Sequence, residues 1–272
     1  MRNTAQRACI WCGPAFVVLV LAGWGLLAGF FPPPSPSDSP DQVAAMFRDG
    51  GGWMKLGLVI AMVGAGLLAP WFAATAVQLR RIEGGSVPVW TYTYLMCGAA
   101  TVIEFLFPLM IWQSAVFRAE SSASEILQKL NDLAWLCWLG ITSTVILQGV
   151  ATAVVVFGDK RAKPILPRWY AYLCLWCMML VSTSSAIVFF KGGPFAWNGI
   201  AGFWFALVGI CFWVFVTAML LLRLTARRDI EDDFSSSVSA EVDLRSEIRA
   251  LSSRVAELES GKSASRERTL KS

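Results

Sequence analysis

The sequence predicts an all-α fold: a polytopic membrane bundle of six transmembrane helices, both termini cytoplasmic, followed by a short C-terminal amphipathic or coiled-coil helix. Three observations carry this expectation. The chain is 56% hydrophobic and only 15% charged, where an ordinary soluble domain carries about 25% charged residues. The apolar residues come in long blocks rather than stripes, and six blocks reach the roughly 20 residues needed to cross hydrocarbon. Lys and Arg alternate between rich and poor loops, as the positive-inside rule requires.

The elements follow in order. Residues 10–31 form the first apolar run, preceded by the basic MRNTAQR. It is longer than the core of a signal peptide and ends in Phe30-Phe31-Pro32 rather than a small-residue cleavage site, so it is expected to be a retained span. PPPSPSDSP is a stiff, extended linker. Ser39-Pro40-Asp41 reads as a helix start, with Ser at the cap and Pro at the first turn, before a short surface helix that ends at Gly50-Gly51-Gly52. The second span covers about residues 54–77, with Gly64 and Gly66 small enough for close helix approach and Pro70 placed to kink it. The third span is residues 89–112, VWTYTYLMCGAATVIEFLFPLMIW. A short amphipathic piece carrying Ile126, Leu127 and Leu130 precedes the fourth span, residues 133–157. The fifth covers residues 169–190 and the sixth residues 197–222, joined by the tight turn KGGPFA. The first domain therefore runs over residues 1–228.

Arg2, Arg7, Arg80, Arg81, Lys160, Arg161, Lys163, Arg168, Arg223, Arg227 and Arg228 fall on one side of such a bundle. Arg48, Lys55, Arg118, Lys129 and Lys191, diluted by acids, fall on the other. This puts both ends inside. Trp11, Trp90, Trp169 and Tyr170 are then inner interfacial anchors, and Trp53, Trp112, Trp135 and Trp197 outer ones.

Residues 229–272 change character. After an acidic, Ser-rich start, Leu244, Ile248, Leu251, Val255 and Leu258 alternate at spacings of four and three, within a helix expected over about residues 240–260. β-branched residues at a and Leu at d suit a parallel dimer, with Arg254 and Glu259 at facing flank positions. The same stripe also suits an amphipathic helix lying on the inner loops.

Several chemistries are excluded. The chain has no histidine, which removes His-ligated haem and zinc and every triad with a His base. The net charge of +4 reflects loop bias, not nucleic-acid binding. Nothing calls for a cofactor, and the seven cysteines do not form a secreted disulfide framework. Cys9-Ile-Trp-Cys12 and Cys174-Leu-Trp-Cys177 repeat one pattern near the cytoplasmic face. They could form a thiol relay or a four-thiolate metal site, but free Cys is also an ordinary packing residue.

The candidate site centres on Glu104, the one ionisable side chain well inside the third span. A carboxyl within the hydrocarbon is costly and should face other helices or a water pocket. It lies about eight residues, roughly 12 Å, from the outer end of its span. At that depth the fourth span offers Thr142, Ser143 and Thr144, and the fifth offers Ser182, Thr183, Ser184 and Ser185. The expected site is a small polar pocket in the outer half, with Glu104 as proton acceptor or hydrogen-bond anchor and Thr142, Ser143, Ser182 and Ser185 as lining. Asp132, Lys191 and Asn198 are expected at its mouth, with Lys191 paired to Asp132. Ser and Thr are also routine packing groups between membrane helices, and Gln148 is expected to make an interhelical hydrogen bond.

The blocks PPPSPS, QLRRIEGG, LNDLAWL, LPRWYAYLCLW and FFKGGPFAWNG together resemble a family of bacterial six-span inner-membrane proteins that carries no activity to transfer. The resemblance covers roughly residues 10–223 and implies a bacterial inner-membrane location and six spans. The expected function is non-enzymatic: binding or passing a small hydrophobic molecule. A scaffold acting through a tail homodimer and a membrane thiol oxidoreductase are the alternatives. No repeated half-sequence or pair of broken helices marks a transporter.

Overall fold

The computed structural model describes residues 2–85 and 87–225, together with 241, 245, 246 and 248. The chain divides into two compact units, Met1–Thr225 and Ala226–Ser272. In the second, the described residues are helical, and the Arg245 guanidinium donates to Glu241 Oε1 at 2.8 Å across one turn. Ile248 is exposed. The rest of the tail seam, Leu244, Leu251, Val255 and Leu258 with Arg254 and Glu259, lies outside the described residues.

Among the described residues of the first unit, all regular structure is helical. Six rods are long and apolar enough to cross a membrane: Thr4–Leu27, Gly51–Glu83, Val89–Phe117, Ser124–Phe157, Arg168–Phe189 and Ile200–Thr225. They are built from α1 (Arg2–Val20), α3 (Gly51–Gly66), α4 (Leu68–Glu83), α5 (Val89–Phe117), α6 (Ser124–Gly140), α7 (Ser143–Phe157), α8 (Arg168–Ser182) and α9 (Phe205–Thr225), with α2 (Pro40–Asp49) as the short helix after the linker.

Five rods are not plain α-helices, and four of these interruptions shape the site. The first continues from α1 into a π-helical stretch, Leu21–Leu27; the fifth tightens from α8 into a 3-10 stretch, Thr183–Phe189; the sixth begins with a π-helical stretch, Ile200–Trp204. The fourth is broken at Ile141 and Thr142, between α6 and α7. The sequence marks no pair of broken helices, and the break at Ile141 and Thr142 is not foreshadowed there. The second rod also parts, at Leu67. Pro70 explains this: it lacks the N–H that the Gly66 carbonyl would accept, so the predicted kink becomes a break one turn earlier. The amphipathic piece at Ile126, Leu127 and Leu130 belongs to α6 itself. No Gly or Pro falls between Ser124 and Leu139 to stop the helix, and Leu127 is buried while Ile126 is exposed.

The α2 start is as the residues predict. Ser39 caps it: its hydroxyl accepts from the Gln42 N–H at 3.4 Å, and Gln42 Oε1 accepts from the Ser39 N–H at 2.8 Å, a reciprocal capping box. Val43, Ala44 and Phe47 form its buried face. Ser39→Ala is expected to cost the local helix about 1 kcal/mol, seen as roughly fivefold faster amide hydrogen exchange across α2. Unchanged exchange would show that the cap is idle. The linker before α2 is clamped from three sides. Ser37 Oγ donates to the Lys191 carbonyl (2.7 Å), Trp197 Nε1 to the Pro34 carbonyl (2.9 Å) and Gln128 Nε2 to the Asp38 carbonyl (2.9 Å).

The first and second rods cross at glycine. A Cβ added at Gly23 would lie 2.5 Å from the Gly57 carbonyl oxygen, and one at Gly57 would lie 2.6 Å from the Ala28 nitrogen. Gly64 meets Leu19 at 2.8 Å in the same way, whereas Gly66 faces open space. Of the two predicted contact glycines, Gly64 makes a contact and Gly66 does not.

An aromatic cluster packs around Trp24. Trp24, 1% exposed, stacks on Phe30 and Trp138 with ring centroids 5.4 and 5.1 Å away. Trp112 and Trp135 pack against it at 5.8 and 5.5 Å. This corrects the outer aromatic belt: Trp112, Trp135 and Trp197 are buried, and only Trp53 of that set is exposed. Interfacial Trp residues use their N–H groups toward water, but Trp112 Nε1 donates to Asn131 Oδ1 at 3.1 Å and Trp197 to the linker. On the other side Trp11, Trp90 and Trp169 are exposed, whereas Tyr170 is buried with its hydroxyl 2.7 Å from Thr217 Oγ1.

Candidate functional site

Helix α5 sets the direction of the central carboxyl. Its buried residues include Thr91, Tyr94, Gly98, Thr101, Glu104 and Pro108, spaced by threes and fours. That spacing keeps them on one face, so Glu104 turns into the bundle, not out to lipid. Pro108 adds a local effect, since it removes the N–H that the Glu104 carbonyl would accept four residues earlier.

Helix α7 meets this face. The Thr144 hydroxyl donates to Glu104 Oε2. Thr101 Oγ1 lies 3.3 Å from Thr144 Oγ1 and 3.1 Å from Gln148 Oε1. Gln148 Nε2 donates to the Tyr94 carbonyl at 3.4 Å. Gln148 is fully buried and makes the interhelical bonds expected of it. This chain of polar groups ties α5 to α7 and leaves Glu104 Oε1 without a hydrogen bond among the described residues.

Glu104 lines a cavity of about 90 Å³, larger than the roughly 10–15 Å³ that one water needs. Its wall draws on five of the rods and is mostly apolar. Phe16, Trp24, Phe105, Trp138 and Phe203 supply aromatic surface, and Glu104, Thr142 and Ser184 the oxygen atoms. The break in the fourth rod sits in this wall, since Ile141 and Thr142 both line the cavity. Irregular backbone at membrane depth is tolerated where it lines a cavity or is buried in protein.

The predicted hydroxyls separate into different roles. Thr142 lines the cavity and its Oγ1 lies 2.5 Å from Ser185 Oγ, joining the broken fourth rod to the 3-10 stretch of the fifth. Ser143 is exposed at the first position of α7, one residue beyond the turn that faces inward, and does not line the cavity. Ser182 is exposed too, its hydroxyl donating to its own helix at the Met179 carbonyl, 2.7 Å. Ser185 reaches Thr142 but is not a wall residue. The reason is the tighter 3-10 winding from Thr183, which advances each side chain about 120° rather than the α-helical 100°. Thr183 and Ser184 instead fasten the sixth rod, donating to the carbonyls of Ala201 (2.5 Å) and Gly202 (2.8 Å) within its π-helical stretch.

The predicted mouth is not assembled at the cavity. Asp132, Lys191 and Asn198 are absent from the wall. Lys191 forms no ion pair with Asp132 among the described residues. Lys191 is exposed at the linker, where its carbonyl is held by Ser37.

The cysteines are free, and among the described residues no group of three or more Cys, Asp or Glu is placed to hold a metal ion. The two C-x-W-C pairs therefore do not make a four-thiolate site. Cys174 and Cys177 are fully buried.

Sequence reasoning missed the first and sixth rods as walls. One signal was available: Trp24 stands between Gly23 and Gly25 within an apolar run, a bulky ring between two residues that let neighbouring backbone approach. Set against known protein families, curated proteins and solved structures, the chain shows no significant match.

Proposed function

We propose that this multi-pass membrane protein binds or passes a small, hydrophobic molecule in the Glu104 cavity, without catalysing a reaction. One observation carries the reading: a buried carboxyl is directed into an otherwise apolar, aromatic-walled space beside a broken helix. Discontinuous helices are where membrane transporters form their sites, and an ionisable residue at membrane depth is a functional site by default. The broken fourth rod and the 3-10 fifth rod supply the interruptions that the sequence did not reveal. Glu104 anchors the ligand, and Thr142 holds the break in place beside it. The loop charges support a cytoplasmic location for both ends, and the resemblance of the PPPSPS, LNDLAWL and FFKGGPFAWNG blocks supports a bacterial inner membrane.

The test is binding of 3-fluorophenol to the full chain in lipid nanodiscs, followed by fluorine NMR and corrected for empty discs. Saturable binding is expected, abolished by filling the wall with Ala206→Leu. Glu104→Gln should weaken it about fivefold, since a hydrogen bond to a carboxyl is exchanged for a weaker one. Binding that neither variant changes would end the proposal.

A second reading, a scaffold acting through a tail dimer, draws on the ion pair between Arg245 and Glu241, four residues apart. Deleting residues 235–272 separates the two: loss of function with 3-fluorophenol binding intact favours the scaffold.

A further inference from the structure

We infer that the cavity is shaped for a lipophilic monocation, an organic ammonium with a compact apolar body that arrives from the lipid side. The inference rests on the pocket reading above and adds the sign of the ligand's charge.

Three features of the wall lead there. The first is charge. The ionisable side chains lining the cavity are Glu104 and Cys211, and none of the lining residues is basic. An anion would meet no counter-charge, whereas a cation would supply the one that a buried carboxylate needs.

The second is spare bonding capacity. The Ser184 hydroxyl is committed to the Gly202 carbonyl, and Thr142 is engaged with Ser185. Glu104 Oε2 is held by Thr144, while Oε1 takes no hydrogen bond among the described residues. The wall therefore offers a ligand one strong acceptor and little else that is polar. A sugar, peptide or nucleotide would leave its own polar groups unsatisfied.

The third is ring surface. Trp24 and Trp138 stack with an interplanar angle of 15°, Phe105 meets Trp138 edge-on at 5.1 Å, and Phe16 meets Phe105 at 5.1 Å. These rings stand in the same wall as the carboxyl. Aromatic faces within about 6 Å attract an ammonium, most strongly when it is desolvated. Access is from the side, because Ile141 lines the cavity and is 44% exposed on a rod that is apolar enough to lie in lipid.

The experiment compares an isosteric pair, phenyltrimethylammonium and tert-butylbenzene, which differ in charge but hardly in shape. Both are measured on the full chain in nanodiscs by equilibrium dialysis, with empty discs as the partition blank. The cation is expected to bind at least about tenfold more tightly than the hydrocarbon. Glu104→Gln should remove most of that preference and leave tert-butylbenzene within about twofold. Trp138→Leu, which keeps the carboxyl, should weaken the cation more than the hydrocarbon and serves if the first variant does not assemble. Equal binding of the two probes, both lost in Ala206→Leu, overturns the charge assignment while the pocket stands. Cation binding that neither Glu104→Gln nor Trp138→Leu reduces also overturns it. If neither probe binds and 3-fluorophenol does not bind either, the inference and the pocket fall together.

Discussion

Gly57→Val is expected to destabilise the bundle by about 3 kcal/mol, at the upper end of what overpacking costs. The added Cβ would press on backbone atoms, the Gly23 carbonyl oxygen and the Ala28 nitrogen, which have no rotamer through which to escape. The two rods must separate or shift along each other. That movement would disturb the π-helical stretch Leu21–Leu27, from which Leu21 and Trp24 enter the cavity wall. The matched control is Gly66→Ala, where nothing lies within 4 Å. There the methyl should be neutral or stabilise by up to about 1 kcal/mol, because alanine orders a helix at lower entropic cost. Thermal and SDS-driven unfolding of the purified chain measure both. Equal effects at the two positions would show that the crossing is not as close as described.

Trp24→Ala carries the second large effect. Trp24 is 1% exposed and holds together Phe30, Trp112, Trp135 and Trp138. Truncating a buried Trp in a water-soluble core costs about 3–5 kcal/mol. Within lipid the transfer contribution largely disappears and packing remains, so a loss of about 3 kcal/mol is expected. Because Trp24 also lines the cavity, its removal should enlarge that space. Indole added to the variant should then restore part of the lost thermal stability, as apolar ligands fill engineered cavities. A loss below about 1 kcal/mol, or no response to indole, would mean the cluster does not depend on its central ring.

How much of this was legible depends on how far apart the interacting residues lie. Glu104 facing inward follows from its own helix: Thr101, Pro108 and the residues a turn further on share its side. Gln148 as an interhelical link was legible too, since a lone amide in an apolar run has few other uses. Trp112 and Trp135 were misread. A Trp at the end of an apolar block has the composition of an interfacial anchor, and only the neighbouring Asn131 shows that the Trp112 N–H is satisfied inside. The Ser182–Ser185 run was half legible. Ser184 shares the cavity wall with Glu104, but which hydroxyls face the cavity depends on the change to 3-10 winding and on carbonyls in another rod. The break at Ile141 and Thr142 has no Gly-Pro signal at those two positions, and Gly140 before it is weak punctuation.

The residues alone determined six rods of membrane-crossing length, the capped start of α2 and the inward face of α5. Each of these depends on a run or period contained within one segment, where hydrocarbon thickness and helical geometry act locally. Only the tertiary structure decided which rods wall the cavity, which hydroxyls are spent on carbonyls and which aromatic rings surround the carboxyl. Those outcomes join residues far apart in the chain, Thr183 with Ala201, Trp24 with Trp112, Gly23 with Gly57, and no local pattern encodes which distant partner a side chain will meet.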